Sequence, residues 1–280
     1  MTTILKRACR LANRVARPLG IELVVRPPHS PQKPKPPEWS IYEAALHGLL
    51  SAKQSINIMQ VGANDGKWND PIHSFVQQHS GQTHLLLCEP QPEIAQILSD
   101  TYSDHCDVRI FAGAVSKSSG NLVLYRVKPE LWDIVRAPYL REAPSYRAPS
   151  GFASSDRLHV ERHVAMLSHA FTGAQIPSAT AIESLSVESA TVDELLERYP
   201  TMVPIDVFQV DIEGLDDQIV LSSVKKGFLP HIVNFEVEHL SQRRLHEVRT
   251  HLEGFGYETV RRAADLLAIR SRPRPPEFDS

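Results

Sequence analysis

The chain has 280 residues, 42% of them hydrophobic, and a formal net charge of −3. That composition suits one sizeable folded core and excludes both a disordered chain and a strongly basic nucleic-acid binder. The three cysteines, Cys9, Cys88 and Cys106, lack C-x-x-C spacing, so neither a disulfide framework nor a zinc site is implied and a reducing cytoplasm is the expected compartment. No run of about 18 apolar residues occurs, so no membrane-spanning helix is expected, and arginines break up the N-terminal apolar residues where a secretory signal has a continuous core.

Residues 1–26 read as a basic amphipathic helix. Ile4, Leu5, Ala8, Leu11, Ala12, Val15 and Leu19 recur at helical spacing, Lys6, Arg7, Arg10, Arg14 and Arg17 lie largely opposite, and no acid precedes Glu22. Such a helix lies on an anionic membrane surface, which would bring the protein to the inner membrane face, or packs its apolar stripe on the main domain. Residues 27–38, with "PPHSPQKPKPP", form an extended, semi-rigid linker. Residues 271–280 read as a flexible tail.

Residues 39–270 alternate between strand and helix patterns. Ser40 and Glu43 open a helix through about Lys53. Ile56–Val61 is a strand, and Pro71 suits the first turn of a helix to about His79. "THLLLCE" is a buried strand ending at Glu89, "QPEIAQILSDTY" a helix, "DVRIFAGAVS" a third strand and "GNLVLYRV" an extended segment. The rhythm then stops from about 128 to 188, which reads as an irregular insertion near the cleft, a substrate lid. It resumes with "TVDELLERY", a capping-box helix on Thr191 and Glu194, and "IDVFQV", a strand ending at Asp211. The helix "LDDQIVLSSVKKG", the strand "HIVNFEV", a helix from Ser241 and a terminal hairpin of "YETVRR" and "DLLAIR" complete the domain. This order predicts an α/β fold: a mostly parallel, doubly wound sheet with helices on both faces and a C-terminal antiparallel hairpin.

In such sheets ligands bind beyond the carboxyl ends of the strands, near the point where strand order reverses. The loop Gly62-Ala63-Asn64-Asp65-Gly66 follows the first strand, where glycine would let a ligand approach the backbone. It has G-x-x-x-G and lacks the G-x-G-x-x-G of a dinucleotide site. Glu89, at the end of the second strand, can accept hydrogen bonds from both hydroxyls of a ribose. Asp211 and Glu213, in "QVDIEG", suit general-base or cation-binding roles, although either also suits the start of the next helix. In the insertion, Ser154 or Ser155 would cap a helix carrying His159 and His163 one turn apart. His159 is a candidate base or a plain surface histidine, and the spacing is not the H-E-x-x-H of a zinc site. Glu236 and His239 in "NFEVEHL" sit at a strand end, Glu236 as a cleft-lining group and His239 as a base or substrate contact. Asp211, Glu213 and Glu236 could converge, but the sequence demands no metal.

"VGANDG", "EPQPE", "FAGAVSKSSGNLVLY", "TVDELL", "VDIEG" and "NFEVEHL" occur in this order, and the set resembles the FkbM family of S-adenosylmethionine-dependent methyltransferases over about Ile56–Leu240. The resemblance implies a Rossmann-like class I methyltransferase domain and methyl transfer to a hydroxyl of a sugar, glycan, glycolipid or natural product. Gly62, Ala63, Asn64 and Gly66 would then surround the methionine part of S-adenosylmethionine, with Asp65 fixing the loop. Glu89 would hold the ribose, Ala114, Val115 and Ser116 would lie near the adenine, and Asp211 and Glu213 would be the acidic pair. Gly151, Ser154 and Ser155 would border the substrate. The family often has lysine two residues before that aspartate, where this chain has Gln209. The alternatives are an oxidoreductase with a dinucleotide cofactor, against which the missing glycine motif counts, and a non-catalytic relative. The expected partner is a small-molecule or glycan hydroxyl acceptor, not a nucleic acid. If residues 1–26 bind membranes, the full chain will sediment with anionic vesicles and the chain shortened to Glu38–Ser280 will not; equal sedimentation of both would rule out that role.

Overall fold

The computed structural model describes residues 40–135, 142–171, 178–212 and 214–271. The expected basic helix and proline-rich linker, Glu213 and nearly all of the tail lie outside the described residues.

Helix α1, Ser40–Lys53, precedes β1, Ile56–Val61. Helix α2, His73–Gln78, leads to β2, Thr83–Cys88, and helix α3, Pro92–Thr101, to β3, Val108–Phe111. After the insertion come helix α7, Val192–Arg198, and β7, Val207–Val210, then helix α8, Asp216–Lys225, and β8, Ile232–Glu236. Helix α9, Gln242–Gly254, and the hairpin β9, Tyr257–Arg262, and β10, Asp265–Arg270, end the domain. The seven strands lie in the order β3-β2-β1-β7-β8-β10-β9. All pairings are parallel except those of β10, which runs antiparallel to β8 and β9. The chain builds outward from β1 to β3, then returns to β1's other side with β7, so the switch point lies between β1 and β7.

Successive side chains of a strand face opposite sides of the sheet, and here both sides are covered. Ile58, Leu85, Leu87 and Val207 pack under Tyr42, Leu46 and Leu50 of α1, Phe75 of α2 and Leu98 of α3. Met59, Leu86, Phe208 and Val233 pack on the other face under Leu195, Val220 and Val248 of the later helices. This is the expected doubly wound α/β arrangement. The capping box is present: Glu194 N–H donates to Thr191 Oγ1 at 3.2 Å, and Thr191 N–H to Glu194 Oε2 at 3.0 Å.

The structure corrects three local readings. "DVRIFAGAVS" is not one strand. It breaks after Phe111, and β4, Ala114–Val115, joins a second sheet of order β4-β6-β5, with β5 at Gly120–Val127 and β6 at Ile182–Ala190. Gly113 sits at the crossing, where a Cβ would meet the Phe111 ring at 2.5 Å and Glu188 O at 2.8 Å. The insertion is also more ordered than expected. It holds helices α4, Arg147–Gly151, α5, Arg157–Phe171, and α6, Ser178–Ala181, and its last residues are β6. In β6, Leu185, Val187 and Ser189 turn inward while Ser184, Ser186 and Glu188 face water. Serine and glutamate disfavour strands, so the alternation is faint in sequence and pairing with β5 decides it. Helix α5 is capped by Asp156 rather than Ser154 or Ser155: Asp156 Oδ1 accepts from Leu158 N–H at 2.9 Å, and Ser154 is held to Tyr125 of β5 by two backbone bonds.

Arg126 of β5 joins the second sheet to the main one. It is buried, with Nε 2.8 Å from Glu183 Oε1 and Nη2 3.1 Å from Glu93 Oε1 on α3. Arg126→Ala leaves both half-exposed carboxylates free to rehydrate, so a loss of about 1–3 kcal/mol is expected in urea unfolding; an unchanged midpoint would show that the clip contributes nothing.

Candidate active site

The carboxyl ends of β1, β2 and β7 open into one cleft with about 1000 Å³ of empty space, including the part open to solvent. The loop after β1 forms its floor. Gly62 and Ala63 donate their N–H groups to Cys88 O at 3.0 Å. Gly62 has φ +75°, and a Cβ there would lie 1.7 Å from the carbonyl oxygen of Asp211. The space left by the missing side chain is thus filled by the chain after β7 and is not a ligand approach. Asn64, also left-handed at φ +47°, donates its N–H to Glu89 Oε2 at 3.0 Å.

Asp65 and Gly66 brace this loop from behind. Asp65 is buried. Its Oδ1 accepts from the N–H groups of Lys67 at 3.0 Å and Trp68 at 3.1 Å, and its Oδ2 from Tyr146 OH at 3.2 Å. A Cβ on Gly66 would strike Tyr102 at 2.5 Å and Leu98 at 2.6 Å, so this glycine serves the packing of α3. The Asn64 amide donates to Ser150 Oγ of α4 at 3.0 Å, and Gln91 Nε2 donates to Ser150 O at 2.9 Å. The insertion is thereby bonded to the loop.

Glu89 is only 3% exposed. Its Oε1 accepts from Gln91 N–H at 3.0 Å. Burial pushes its pKa up to about 7, against the pull of its hydrogen bonds from Gln91 and Asn64 and the charge of Arg147. Asp211 faces cleft water, yet the protein mass around it, with Asp216 next, pushes its pKa upward, while Arg147 opposes the shift. Asp70, also on the cleft, is raised chiefly by burial. Its Oδ2 accepts from Gln60 Nε2 at 2.6 Å. Gly113, Ala114, Val115, Leu122, Leu124 and Ala153 make an apolar wall beyond Glu89.

Among the candidates read from sequence, Gly62, Ala63, Asn64, Glu89, Ala114, Val115, Ser154, Ser155 and Asp211 line the cleft. Ser116 lies just past it, its N–H donating to Ala190 O at 2.9 Å. His159, Glu236 and His239 do not line it. The His159 ring lies 4.3 Å from that of His163, which stacks on Phe152 at 4.5 Å. Burial lowers the His159 pKa, and the charges of His163 and His239 push the same way. One ligand atom each of Asp216, Glu236 and His239 lies within 4.8 Å of the others, so Glu236 groups with these two rather than with Asp211. Both Asp216 oxygens already accept backbone N–H groups, from Ile212 at 2.9 Å and Gly214 at 3.1 Å. Asp216, not Asp211, thus fixes the loop ahead of α8.

Sequence reading missed Asp70, Gln91, Arg147 and Ser150. Asp70 stood in the polar run after the loop, where only its distance from β1's end hinted at the cleft. Gln91 stood inside "EPQPE" with no role read for it, and Arg147 and Ser150 carry no periodic or motif signal. Gln209 pairs in register with Gln60 on β1 and Asn234 on β8, and its Oε1 accepts from Asn234 Nδ2 at 3.0 Å. A neutral amide row occupies the place where the family often has lysine.

The family profile described as Methyltransferase FkbM domain matches residues 60–259. No curated protein gives a significant match. One matching solved structure is fibrillarin from Aeropyrum pernix in complex with natively bound S-adenosyl-L-methionine, with 12% identity and TM-score 0.37 over 83% of this chain and 76% of that one. A likeness that distant says nothing about residue roles here.

The raised pKa of Glu89 fixes a sign. Between about pH 4.5 and 7 the folded protein holds a proton on Glu89 that the unfolded chain has released, so its contribution to stability falls as pH rises through that window. Glu89→Gln does not titrate. The difference in urea midpoint between it and the parent should therefore move in favour of the variant from pH 5 to pH 8; a constant difference would contradict the shift.

Proposed function

Because the chain belongs to the FkbM methyltransferase family, we propose that this cleft binds S-adenosylmethionine and serves methyl transfer to a hydroxyl oxygen of a sugar, glycan, glycolipid or natural product. S-adenosylmethionine supplies an electrophilic methyl on a sulfonium centre. The observation that carries the reading is the buried Glu89 carboxylate at the end of β2, beside the loop of β1 at the sheet's switch point. Its lone pairs are only partly used by Asn64 and Gln91, which leaves acceptor capacity for a ribose diol.

The residues present fit that cofactor. Ala114, Val115 and Leu124 offer an apolar surface for a purine, and Glu89 offers acceptors for the ribose. Asp211 and Asp70 give the negative potential that a sulfonium and an ammonium favour. No pyrophosphate cradle is needed, in keeping with a loop that lacks G-x-G-x-x-G. Asp211 is also the candidate to take the acceptor's hydroxyl proton. It faces the cleft, and a carboxylate raised toward neutrality is a better base than an ordinary one. Ser154 and Ser155, on the insertion side, are placed to meet the acceptor, whose oxygen must be held in line behind the methyl group.

The product S-adenosylhomocysteine, which cannot turn over, tests the cofactor directly. The full chain should bind it at micromolar strength in calorimetric titration, and Glu89→Ala should weaken binding at least tenfold, about 1.4 kcal/mol. Absence of binding by the folded parent protein would overturn the methyltransferase reading.

A further inference from the structure

Four charged side chains line the cleft among the described residues: Asp70, Glu89, Asp211 and Arg147. Three are acids, so Arg147 is the single cation. It is the first residue of α4, in the insertion. Its Nε donates to Trp68 O at 3.0 Å, just beyond the β1 loop. No described residue bonds its two Nη groups. Gly151, one turn on, leaves room for them: a Cβ there would come 3.1 Å from Nη1. The helix that carries Arg147 is held in place by Ser150 on Asn64 and Gln91, and by Tyr146 on Asp65.

The strand order says which part of a bound cofactor Arg147 meets. Glu89 ends β2. On one side lie β3 and the apolar wall reached through Gly113. On the other lie β1 and then β7, with Asp211. A nucleoside whose ribose sits on Glu89 and whose base sits on the apolar wall must send its 5′ substituent toward β1 and β7. Arg147 stands on that side, near enough to Glu89 and Asp211 for its charge to act on both. The 5′ substituent of S-adenosylmethionine ends in an amino acid, an ammonium beside a carboxylate. The acids suit the ammonium. A carboxylate among three acids needs a cation, and a guanidinium with free Nη groups matches it in shape as well as charge.

We propose that Arg147 binds the α-carboxylate of the cofactor, so that the insertion, and not the strand position of Gln209, supplies the positive charge of this cleft. The inference rests on the methyltransferase reading and concerns only the carboxylate end.

The test is a cycle of four titrations, S-adenosylhomocysteine and its decarboxylated form against the parent protein and Arg147→Gln. In the parent, loss of the carboxylate should weaken binding at least tenfold. In Arg147→Gln the two ligands should bind within about twofold of each other, because the partner of the carboxylate is gone. Arg147→Lys should recover part of the preference, as a point charge without the fork. Equal tenfold preferences in parent and variant would overturn the proposal, and so would a parent that ignores the carboxylate, which leaves Arg147 for an anionic acceptor. Equal weakening of both ligands in the variant would mean that Arg147 only props the loop through Trp68. Should Arg147→Gln fail to fold, Arg147→Lys decides: a carboxylate preference smaller than the parent's supports the proposal, and one equal to it overturns it. If the parent binds neither ligand, the methyltransferase reading fails first.

Discussion

Glu89 is the group on which the cleft turns. A carboxylate that is almost wholly out of water is costly unless it is hydrogen-bonded, and its donors come from two directions: Asn64, in the loop after β1, and Gln91, at the start of α3. Those bonds tie the ends of two adjacent parallel strands into one unit. Asn64 and Gln91 in turn both bond Ser150, so the same carboxylate indirectly seats the insertion. The floor of the cleft, its wall on the insertion side and the buried carboxylate of Glu89 are mechanically connected.

The second constraint is charge. Glu89 and Asp211 converge because the ends of β2 and β7 flank that of β1, and Asp70, in the segment ahead of α2, is held beside them by Gln60; the sheet itself supplies no cation, and Gln60, Gln209 and Asn234 form a neutral row just below. The acids respond by holding protons more tightly than free carboxyls. A cleft in that state is poised for a cationic ligand, since binding a sulfonium and an ammonium restores the ionised forms. Arg147 moderates the imbalance from the insertion. The one cation among the described lining residues thus belongs to a segment without regular sequence pattern, while the sheet and its adjoining loops supply acids and amides.

Glycine roles illustrate how motif and structure part company. The G-x-x-x-G spacing was legible, and both glycines have positive φ. Yet Gly62 is required by the carbonyl of Asp211 and Gly66 by Tyr102 and Leu98. Each glycine solves a packing problem of the protein with itself.

The alternation of apolar strands with capped helices by itself determined the doubly wound sheet, its hairpin and the loop and acid at its switch point. Those features rest on local periodicity and on residues adjacent to strand ends, so Gly62–Asn64, Glu89 and Asp211 stand out in the sequence alone. Only the tertiary structure decided that "DVRIFAGAVS" divides between two sheets, that the serine-rich 182–190 is a strand, and that His159, Glu236 and His239 stand off the cleft. It alone brought Arg147 to Glu89 and Asp211, across 58 and 64 positions of sequence respectively. Such placements depend on pairing and contact between distant segments. A sequence carries no local signal of them, because the energy that fixes them exists only once both partners are in place.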